Sequence, residues 1–310
     1  MLINAANIRT LFEGFNVSFN KGFEGAESHY RDVAMIVPSI TSGNTYGWLG
    51  QFPKLREWVG DRVIRNLAAH SYAIENKDFE STISVHRNKI EDDQYGIFDP
   101  LFQEMGRSAA EHPDELVFAL LAKGFETKGY DGRFFFDSDH PVKGPDGQAQ
   151  SVSNVQAGAE TPWFLLDGSR AIKPLLFQPR RDYKLARLDR EEDENVFMRN
   201  EYIYGVAARA NAGFGLWQLA FASKAALTAD NYEAARQAMM EMTGDEGRPL
   251  GIKPNTLVVP PALEGAALRL LNNGTRVETV MVGDPAAPQS VAIQNEWNGT
   301  AKPVVSAWLA

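Results

Sequence analysis

Apolar residues recur along this chain with two different periods, and the switches between them outline its elements. Ile8, Leu11, Phe12 and Phe15 fall on one side at helical spacing, which predicts a short helix within residues 1–15. Gly- and Ser-rich stretches at 22–25 and 39–50 then read as turning or extended chain. Phe19, Phe23, Tyr30, Tyr46, Trp48, Phe52 and Trp58 are interleaved with these breakers. So apolar a segment has two places to go: around its own domain, or onto a neighbouring subunit. From 61 to 93 the period changes to two. Val63, Ile64, Leu67, Tyr72 and Ile74 lead into the polar turn Glu75-Asn-Lys-Asp78, and Phe79, Ser81, Ile83 and Val85 follow. This predicts a long β-hairpin closed by Glu91-Asp-Asp93. A two-stranded ribbon is marginal alone in water, so it needs support from its own domain or another chain.

Helical spacing returns after Asp99, a predicted N-cap, and Pro100, at the first helical position. Leu101, Phe102, Met105 and Ala109 are followed by Pro113, acidic Asp114 and Glu115, and then Leu116, Val117, Leu120 and Leu121 before Gly124. The pattern fits one kinked helix or two abutting ones. Residues 133–137 read as a short buried strand, 143–161 as a loop, 163–166 and 172–177 as strands, and 189–195 as an acidic loop. Strands at 202–206 and 214–222 are predicted to join near 211–213. Thr228 or Asp230 caps a helix carrying Tyr232, Ala235, Met239 and Met242, which Gly244 stops. Leu257-Val-Val259 reads as a strand, Pro260-Pro261 hands over to a helix with Leu263, Ala267, Leu270 and Leu271, and 283–288 is a loop. Val304, Val305 and Leu309 form a last strand. No internal repeat or low-complexity tract is visible.

Composition changes this picture only by exclusion. The 310 residues are 44% hydrophobic and 23% charged, enough apolar material for a core and too much for a disordered chain. The net charge of −9 argues against a dedicated nucleic-acid binder, which needs a basic face to displace counterions from phosphates. The absence of cysteine excludes disulfides, thiolate nucleophiles and Cys-ligated zinc. No signal peptide is expected at the N-terminus, and no apolar run reaches the roughly 20 residues that span a bilayer.

The search for chemistry finds little. There is no Gly-rich phosphate loop, no G-x-S-x-G elbow and no H-E-x-x-H pair among His29, His70, His86, His112 and His140. The strongest cluster is Asp137-Ser-Asp139-His140-Pro141, whose two carboxylates and imidazole suit a divalent metal but are also ordinary loop chemistry after a strand. Asp131 and Glu91-Asp-Asp93 add ligands only if the fold brings them near. Glu191-Glu-Asp-Glu194 lacks the ligand spacing and central Gly of a calcium loop and reads as a solvated turn. Arg180 and Arg181 are too few for a DNA patch. Lys77 and Asn76, at the expected ribbon tip, are read as turn residues rather than a cross-linking pair. The expectation is therefore no catalytic residue, no cofactor and no metal.

Longer strings carry a family resemblance. Ser42-Gly-Asn-Thr-Tyr-Gly-Trp-Leu-Gly50 followed by Phe52-Pro-Lys-Leu-Arg-Glu-Trp-Val-Gly60 resembles the major head subunit of Mu-like phages and prophages. So do Phe102-Gln-Glu-Met-Gly-Arg-Ser-Ala-Ala110, Pro113-Asp-Glu-Leu116, Phe135-Phe-Asp-Ser-Asp-His-Pro141 and Ser169-Arg-Ala-Ile-Lys-Pro174. Tyr202-Ile-Tyr-Gly205, Gly213-Phe-Gly-Leu-Trp-Gln218, Gly247-Arg-Pro-Leu-Gly-Ile-Lys-Pro254 and Leu257-Val-Val-Pro-Pro261 complete a set that runs in order through nearly the whole chain.

The resemblance implies an α+β protein with the tailed-phage (HK97-like) major capsid fold: an N-terminal arm, an extended hairpin called the E-loop, a peripheral domain with a spine helix, and an axial domain. Laid onto the chain, it gives an arm at 1–60, an E-loop hairpin at 61–93, a peripheral domain at 94–222 with an axial-domain excursion near 143–161, an axial core at 223–300 and a terminal strand at 301–310. The strand-rich 163–222 segment precedes the helix–strand–helix unit at 228–272, whereas better-known members place it after, so the axial domain is expected to be interrupted in sequence. The implied function is a structural subunit, not an enzyme, that builds the icosahedral head around DNA without reading its sequence. Implied partners are copies of itself in pentamers and hexamers, a separate scaffolding protein, a head maturation protease, a portal and a decoration protein, with no membrane. The implied location is the virion, assembled in the host bacterial cytoplasm. Two alternatives remain at this point: an encapsulin-like nanocompartment shell, and a metal-dependent hydrolase using Asp137, Asp139 and His140.

Overall fold

The computed structural model describes residues 5–50, 72–92, 96–144, 146–244, 247–280 and 289–309. The first third of the chain holds helices α1 (Ala5–Gly25) and α2 (Tyr30–Val33), strands β1 (Ala34–Ile36), β2 (Gly43–Thr45), β3 (Ala73–Glu75) and β4 (Lys77–His86), and helix α3 (Arg87–Glu91). Helix α4 (Asp99–Ala122) follows, then strands β5 (His140–Lys143), β6 (Ala149–Val152), β7 (Val155–Gln156), β8 (Trp163–Leu166) and β9 (Leu175–Leu188). After them come α5 (Glu194–Arg199), β10 (Glu201–Phe214), β11 (Ala220–Ser223), α6 (Ala229–Met240), β12 (Thr256–Val259) and α7 (Glu264–Leu271). Strands β13 (Thr275–Val280), β14 (Gln289–Gln294) and β15 (Lys302–Val305) close the chain.

One sheet has the order β1-β9-β10-β4, with β9, β10 and β4 antiparallel and β1 parallel to β9. Along β10, Tyr202, Tyr204, Val206, Ala208, Ala210 and Ala212 are buried at period two, so one face of this sheet points at a core. The helices α1 and α4 cover that face. Phe15 of α1 stacks on Phe102 of α4 at 4.1 Å, and both rings meet Tyr204 edge-on at 5.4 and 5.3 Å.

The two helices touch backbone to backbone. A Cβ at Gly106 would lie 2.0 Å from the Phe19 carbonyl oxygen, and one at Gly22 would lie 1.9 Å from that of Gln103. Glycine is required at both positions because no side chain fits in that space. The helix predicted at 1–15 runs on to Gly25 for the same reason: packing against α4 holds its C-terminal half in place despite two internal glycines. Helix α4 is one helix with Pro113 inside it, which settles the choice between one and two. Asp99 is its first helical residue, and Phe98 takes the cap position. The neighbouring Asp114, buried beside Pro113, accepts the backbone N–H of His29 at 2.9 Å, that of Tyr30 at 2.7 Å and the Ser28 hydroxyl at 2.8 Å. One carboxylate thereby clamps the chain leaving α1 onto α4.

A second sheet has the order β15-β12-β8-β11-β7. Its central strands Trp-Phe-Leu-Leu (β8), Thr-Leu-Val-Val (β12) and Ala-Phe-Ala-Ser (β11) are buried at every position. Helices α6 and α7 bring Tyr232, Ala235, Met239, Ala267 and Leu271 into the same core, and Thr228 caps α6 as expected, its hydroxyl accepting the Asn231 N–H. This sheet draws on segments from both sides of residue 222, so the sheets do not divide where the expected boundary lies.

Several expected elements differ. The polar residues 75–78 are not a hairpin tip. Strand β3 pairs with β2 (Asn44↔Ile74), while β4 pairs with β10 (Ile83↔Tyr204). Asn76 makes a crossover of this segment: its N–H reaches Ser42 O at 2.9 Å, and its side-chain amide donates to Ser39 Oγ at 2.9 Å and Thr41 O at 3.0 Å. Alternation identifies strands but does not name their partners. The first strand expected for the hairpin, at Val63–Leu67, lies outside the described residues. Residues 133–137 form no strand. Phe135 and Phe136 are buried by packing, Phe135 stacking on Phe214 at 4.1 Å, and only Phe134 makes a bridge, to Lys128. The loop expected at 143–161 holds the small β5–β6 hairpin and β7. The strands expected at 172–177 and 202–206 are the ends of fourteen-residue strands, and β10 continues through the region expected to turn, 211–213.

Two predictions follow from this packing. Gly106→Val should lower unfolding stability by roughly 3 kcal/mol through overpacking, read by urea denaturation. At the other junction of α4 with the sheet, the His112 ring nitrogen lies 2.5 Å from the Tyr183 hydroxyl and the ring packs on Phe79 at 4.3 Å. Burial pushes the His112 imidazole below its ordinary value, with Glu115 working against it. A folded-state value lower than the unfolded one gives stability that is present above about pH 6.5 and lost as pH falls through the folded value. His112→Gln should flatten that slope in thermal unfolding measured across this range.

Candidate functional site

The residues with the most chemical promise in the sequence are placed to hold the fold. His140 is fully buried between a carboxylate and an amide: Nδ1 lies 2.6 Å from Asp131 Oδ2 and Nε2 lies 3.2 Å from Asn154 Oδ1. Its ring stacks on Trp217 at 3.9 Å. Asn154 is oriented in turn by donating to the carbonyl of Phe135 at 2.8 Å, and its Oδ1 accepts the Asp137 N–H at 3.0 Å. Both nitrogens of His140 are therefore engaged inside the protein and neither is presented to a ligand.

The two carboxylates flanking His140 point elsewhere. Asp137 Oδ1 accepts the Asp139 N–H at 3.1 Å in a local turn, and Asp139 pairs with Arg133 at 2.7 Å on the surface. Asp131 joins His140, but Asp137 and Asp139 do not converge on the same point. Among the described residues, no group of three or more His, Asp or Glu side chains is placed to hold a metal ion. Asp93 lies outside the described residues, so the Glu91–Asp93 run is not assembled into any described site.

The acidic stretch 191–194 belongs to the end of the β9–β10 arm. Asp193 closes a turn by accepting the Arg190 N–H at 2.8 Å, and Glu191 lies 3.7 Å from Arg87. At its root Asp189 is buried, and that burial pushes its carboxyl above the usual range, with Arg187 at 3.3 Å acting in the opposite direction. Arg181 and Arg209 meet Asp78 across the sheet at 3.1 and 3.7 Å, and Arg180 donates to the Ser39 carbonyl. Asn76, read as a tip residue, is an anchor: Gln178 Nε2 also donates to its Oδ1 at 2.8 Å.

What the described residues offer instead of a reaction centre is exposed surface. The antiparallel pair β2–β3 brackets residues 46–72, of which Tyr46 and Leu49 are buried in the main core and 51–71 lie outside the described residues. The pair β13–β14 forms a sheet of its own, in which Val277 is 71% and Val291 40% exposed. The arm β9–β10 ends in α5, whose Phe197 is 81% and Met198 70% exposed. Sequence reasoning missed α5 because its polar flanks made the whole segment look like a loop. The available signal was Phe197-Met198 within an acidic stretch, an apolar pair that no solvated turn needs. A groove of about 610 Å³ between α1, α4 and the C-terminal turn at Trp308 is lined by charges of both signs, including Lys21, Glu104 and Arg107. Among the described residues no helix is long and apolar enough to cross a membrane.

Comparison with known proteins gives a consistent result. The family model described as Mu-like prophage major head subunit gpT matches residues 8–309. The chain is 45% identical over 316 residues to the major capsid protein of Escherichia phage Mu, covering 100% of each. It is 42% identical over 297 residues to the Mu-like prophage FluMu major head subunit of Haemophilus influenzae, covering 94% of this chain and 93% of that one. Among solved structures, the procapsid of bacteriophage JBD30 is similar with a TM-score of 0.79 and 49% identity over 88% of this chain and 93% of that one.

Substitutions separate a structural cluster from a metal site. His140→Ala should cost about 3 kcal/mol, because it leaves a cavity beside Trp217 and removes the hydrogen-bond partner of Asp131, whose side chain is only 9% exposed. Asp139→Ala should stay within about 0.5 kcal/mol, as expected for an exposed pair. Urea melts of both variants, with and without added divalent cations, check this, and a cation-dependent change would mark a metal site.

Proposed function

The chain belongs to the family of Mu-like prophage major head subunits, and from that premise we propose how its parts build a shell. Its role is structural: it is the major capsid protein of a Mu-like phage head, with the tailed-phage capsid fold, and a component of the virion. The observation that carries this is the match of family, sequence and fold along essentially the whole chain, in a molecule whose best catalytic cluster is spent on its own core.

In this reading the peripheral domain is the four-stranded sheet with α1 and α4, α4 being the spine helix. The axial domain is the five-stranded sheet with α6, α7 and the β13–β14 ribbon. It takes strands from 155–166, 220–223, 256–259 and 302–305, so it is interrupted in sequence. The E-loop, expected at 61–93, is assigned instead to the segment bracketed by β2 and β3, because β4 pairs with β10 in the four-stranded sheet. It lies over an adjacent subunit, and pentamers and hexamers form from the same chain. The helix α1, held to its own α4 by the Gly22 and Gly106 contacts, stays with its own subunit.

A scaffolding protein, a maturation protease, a portal and a decoration protein act on this shell, which assembles in the host cytoplasm. The net charge of −9 suits a wall that must enclose DNA without holding it. Each contact between subunits buries apolar surface worth about 25 cal/mol per Å² before ordering costs, so many modest contacts add up to a closed particle.

Replacing residues 51–71 with a short Gly-Ser linker should leave a folded subunit that still unfolds cooperatively in urea. Negative-stain microscopy should then find no closed particles, where the parent chain forms them. Particles of normal size from the shortened chain would overturn the E-loop assignment.

A further inference from the structure

Two Asn-Gly-Thr runs occur in this chain, Asn273-Gly-Thr275 and Asn298-Gly-Thr300. An asparagine followed by glycine carries the means of its own conversion. The glycine nitrogen, shielded by no Cβ, can reach the asparagine Cγ and displace ammonia. The two runs are identical in sequence, so a difference in their reactivity comes from the fold. At the second run the Gly299 N–H donates to the Leu271 carbonyl at 2.8 Å, the Asn298 N–H donates to the Asn295 carbonyl at 3.3 Å, and Gly299 is fixed in the left-handed region at φ 71°. The first run lacks these restraints. Asn273 and Gly274 lie between α7 and β13, both exposed, and the Gly274 N–H donates to no group among the described residues. The Asp-Gly pairs at 131–132, 146–147 and 167–168 resemble the second run: the N–H groups of Gly132, Gly147 and Gly168 donate to Gly129 O at 3.2 Å, Gly144 O at 3.0 Å and Asn255 Oδ1 at 2.9 Å.

Asn273 and Gly274 sit at the root of the β13–β14 ribbon, and one buried residue secures that root. Asn295 Nδ2 donates to the carbonyls of Leu270 and of Asn273 itself, both at 2.8 Å, and the Asn295 N–H donates to the Gly274 carbonyl at 3.0 Å. Beside it Arg276 makes a two-pronged pair with Glu296 at 2.8 and 3.0 Å. The ribbon forms a sheet of its own, and two strands alone are marginal without such an anchor. Two of the three bonds that Asn295 donates therefore end on the carbonyls of the reactive pair.

We propose that Asn273 is a site of spontaneous deamidation, and that its product loosens the β13–β14 ribbon from α7. The Gly274 nitrogen attacks the Asn273 Cγ. The N–Cγ bond forms, the Cγ–Nδ2 bond breaks, and ammonia leaves with the proton from the Gly274 nitrogen, giving a cyclic imide. Water then opens the imide at one of its two carbonyls, giving aspartate or isoaspartate. The sum is one amide replaced by one acid, with water consumed and ammonia released. Both products add a negative charge. In isoaspartate the main chain also runs through Cγ and is one atom longer, and the former main-chain carbonyl of residue 273 becomes a pendant carboxylate. The Asn295 clamp then no longer matches its acceptors. The change is irreversible, so it accumulates with the age of the protein, and it is independent of the reading of the ribbon as part of an axial domain.

The test incubates the full chain at mildly alkaline pH, in buffer and in urea, and maps its peptides by mass spectrometry with isoaspartate resolved by chromatography. In urea the two runs should convert at similar rates. In the folded chain Asn273 should convert at least about fivefold faster than Asn298, the factor that opening one hydrogen bond imposes. Hydrogen exchange in β13 and β14 should rise as the converted fraction grows. Gly274→Ala should stop the conversion and leave the urea midpoint unchanged, because a Cβ there meets nothing within 4 Å. A rate ratio in the folded chain no greater than that in urea, or no conversion at Asn273, overturns the site. So does conversion of the Gly274→Ala chain at the parent rate. Conversion at Asn273 with unchanged exchange in the ribbon overturns the loosening.

Discussion

Fourteen residues of β9 and fourteen of β10 run antiparallel as one ladder, from Leu175↔Phe214 at its buried end to Leu188↔Ile203 at its free end. Almost every other part is placed by it. Its buried end enters the main core with Leu175, Leu176, Phe177 and Phe214, next to the second sheet. Its middle carries α1 and α4 on one face through Tyr183, Leu185, Tyr204 and Val206. Its edge carries β4, and its free end carries α5. A register slip of one residue would turn Tyr202, Tyr204 and Val206 outward and uncover both helices. The ladder breaks step between Ala207 and Ala210, where Arg209 faces Arg181 on one side and Asp78 on the other, and both guanidinium groups meet the Asp78 carboxylate.

Buried polar groups do the remaining positioning. Gln178, fully buried in β9, accepts the Tyr46 hydroxyl at 2.7 Å and donates to Ile74 O and Asn76 Oδ1, tying the ladder to the base of the bracketed excursion. Tyr72 is pushed up to about 12 by burial and stays a neutral phenol beside Phe214. Asp114, His140 and Arg236 act in the same way elsewhere, Arg236 donating to Pro254 O at 2.8 Å. Such groups are satisfied only in one arrangement of the chain, so they select the topology as well as support it. They also explain why Asp131, Asp137, Asp139 and His140 form no reaction centre among the described residues.

A shell subunit faces a requirement that an enzyme does not. Its extensions must be stiff enough to present a surface and weakly bound enough to sort into a closed particle. The arm meets this with a long ladder whose tip is clamped by Asn195 and Asn200 while its apolar residues stay outside.

The sequence by itself determined most helices and the buried strands. Their signals are local: Thr228 before α6, Pro100 at the start of α4, and the unbroken apolar runs of β8 and β12. It also determined the family, because long ordered strings carry more information than any pattern of periods. It did not reveal β10 as one strand, since alanines and glycines alternate there where larger β-formers were expected, and only pairing on both sides keeps them extended. The candidate site was legible as residues but not as a role. Asp137, Asp139 and His140 are adjacent in sequence, and only the fold sends one to a turn, one to solvent and one into a cage of Asp131, Asn154 and Trp217. Strand partners, the crossover at Asn76 and the exposure of Phe197 and Met198 were likewise settled by tertiary structure, because pairing and burial depend on residues far apart in the chain, 37 positions for Asn76 and Ser39 and 102 for Gln178 and Asn76, which no local pattern records.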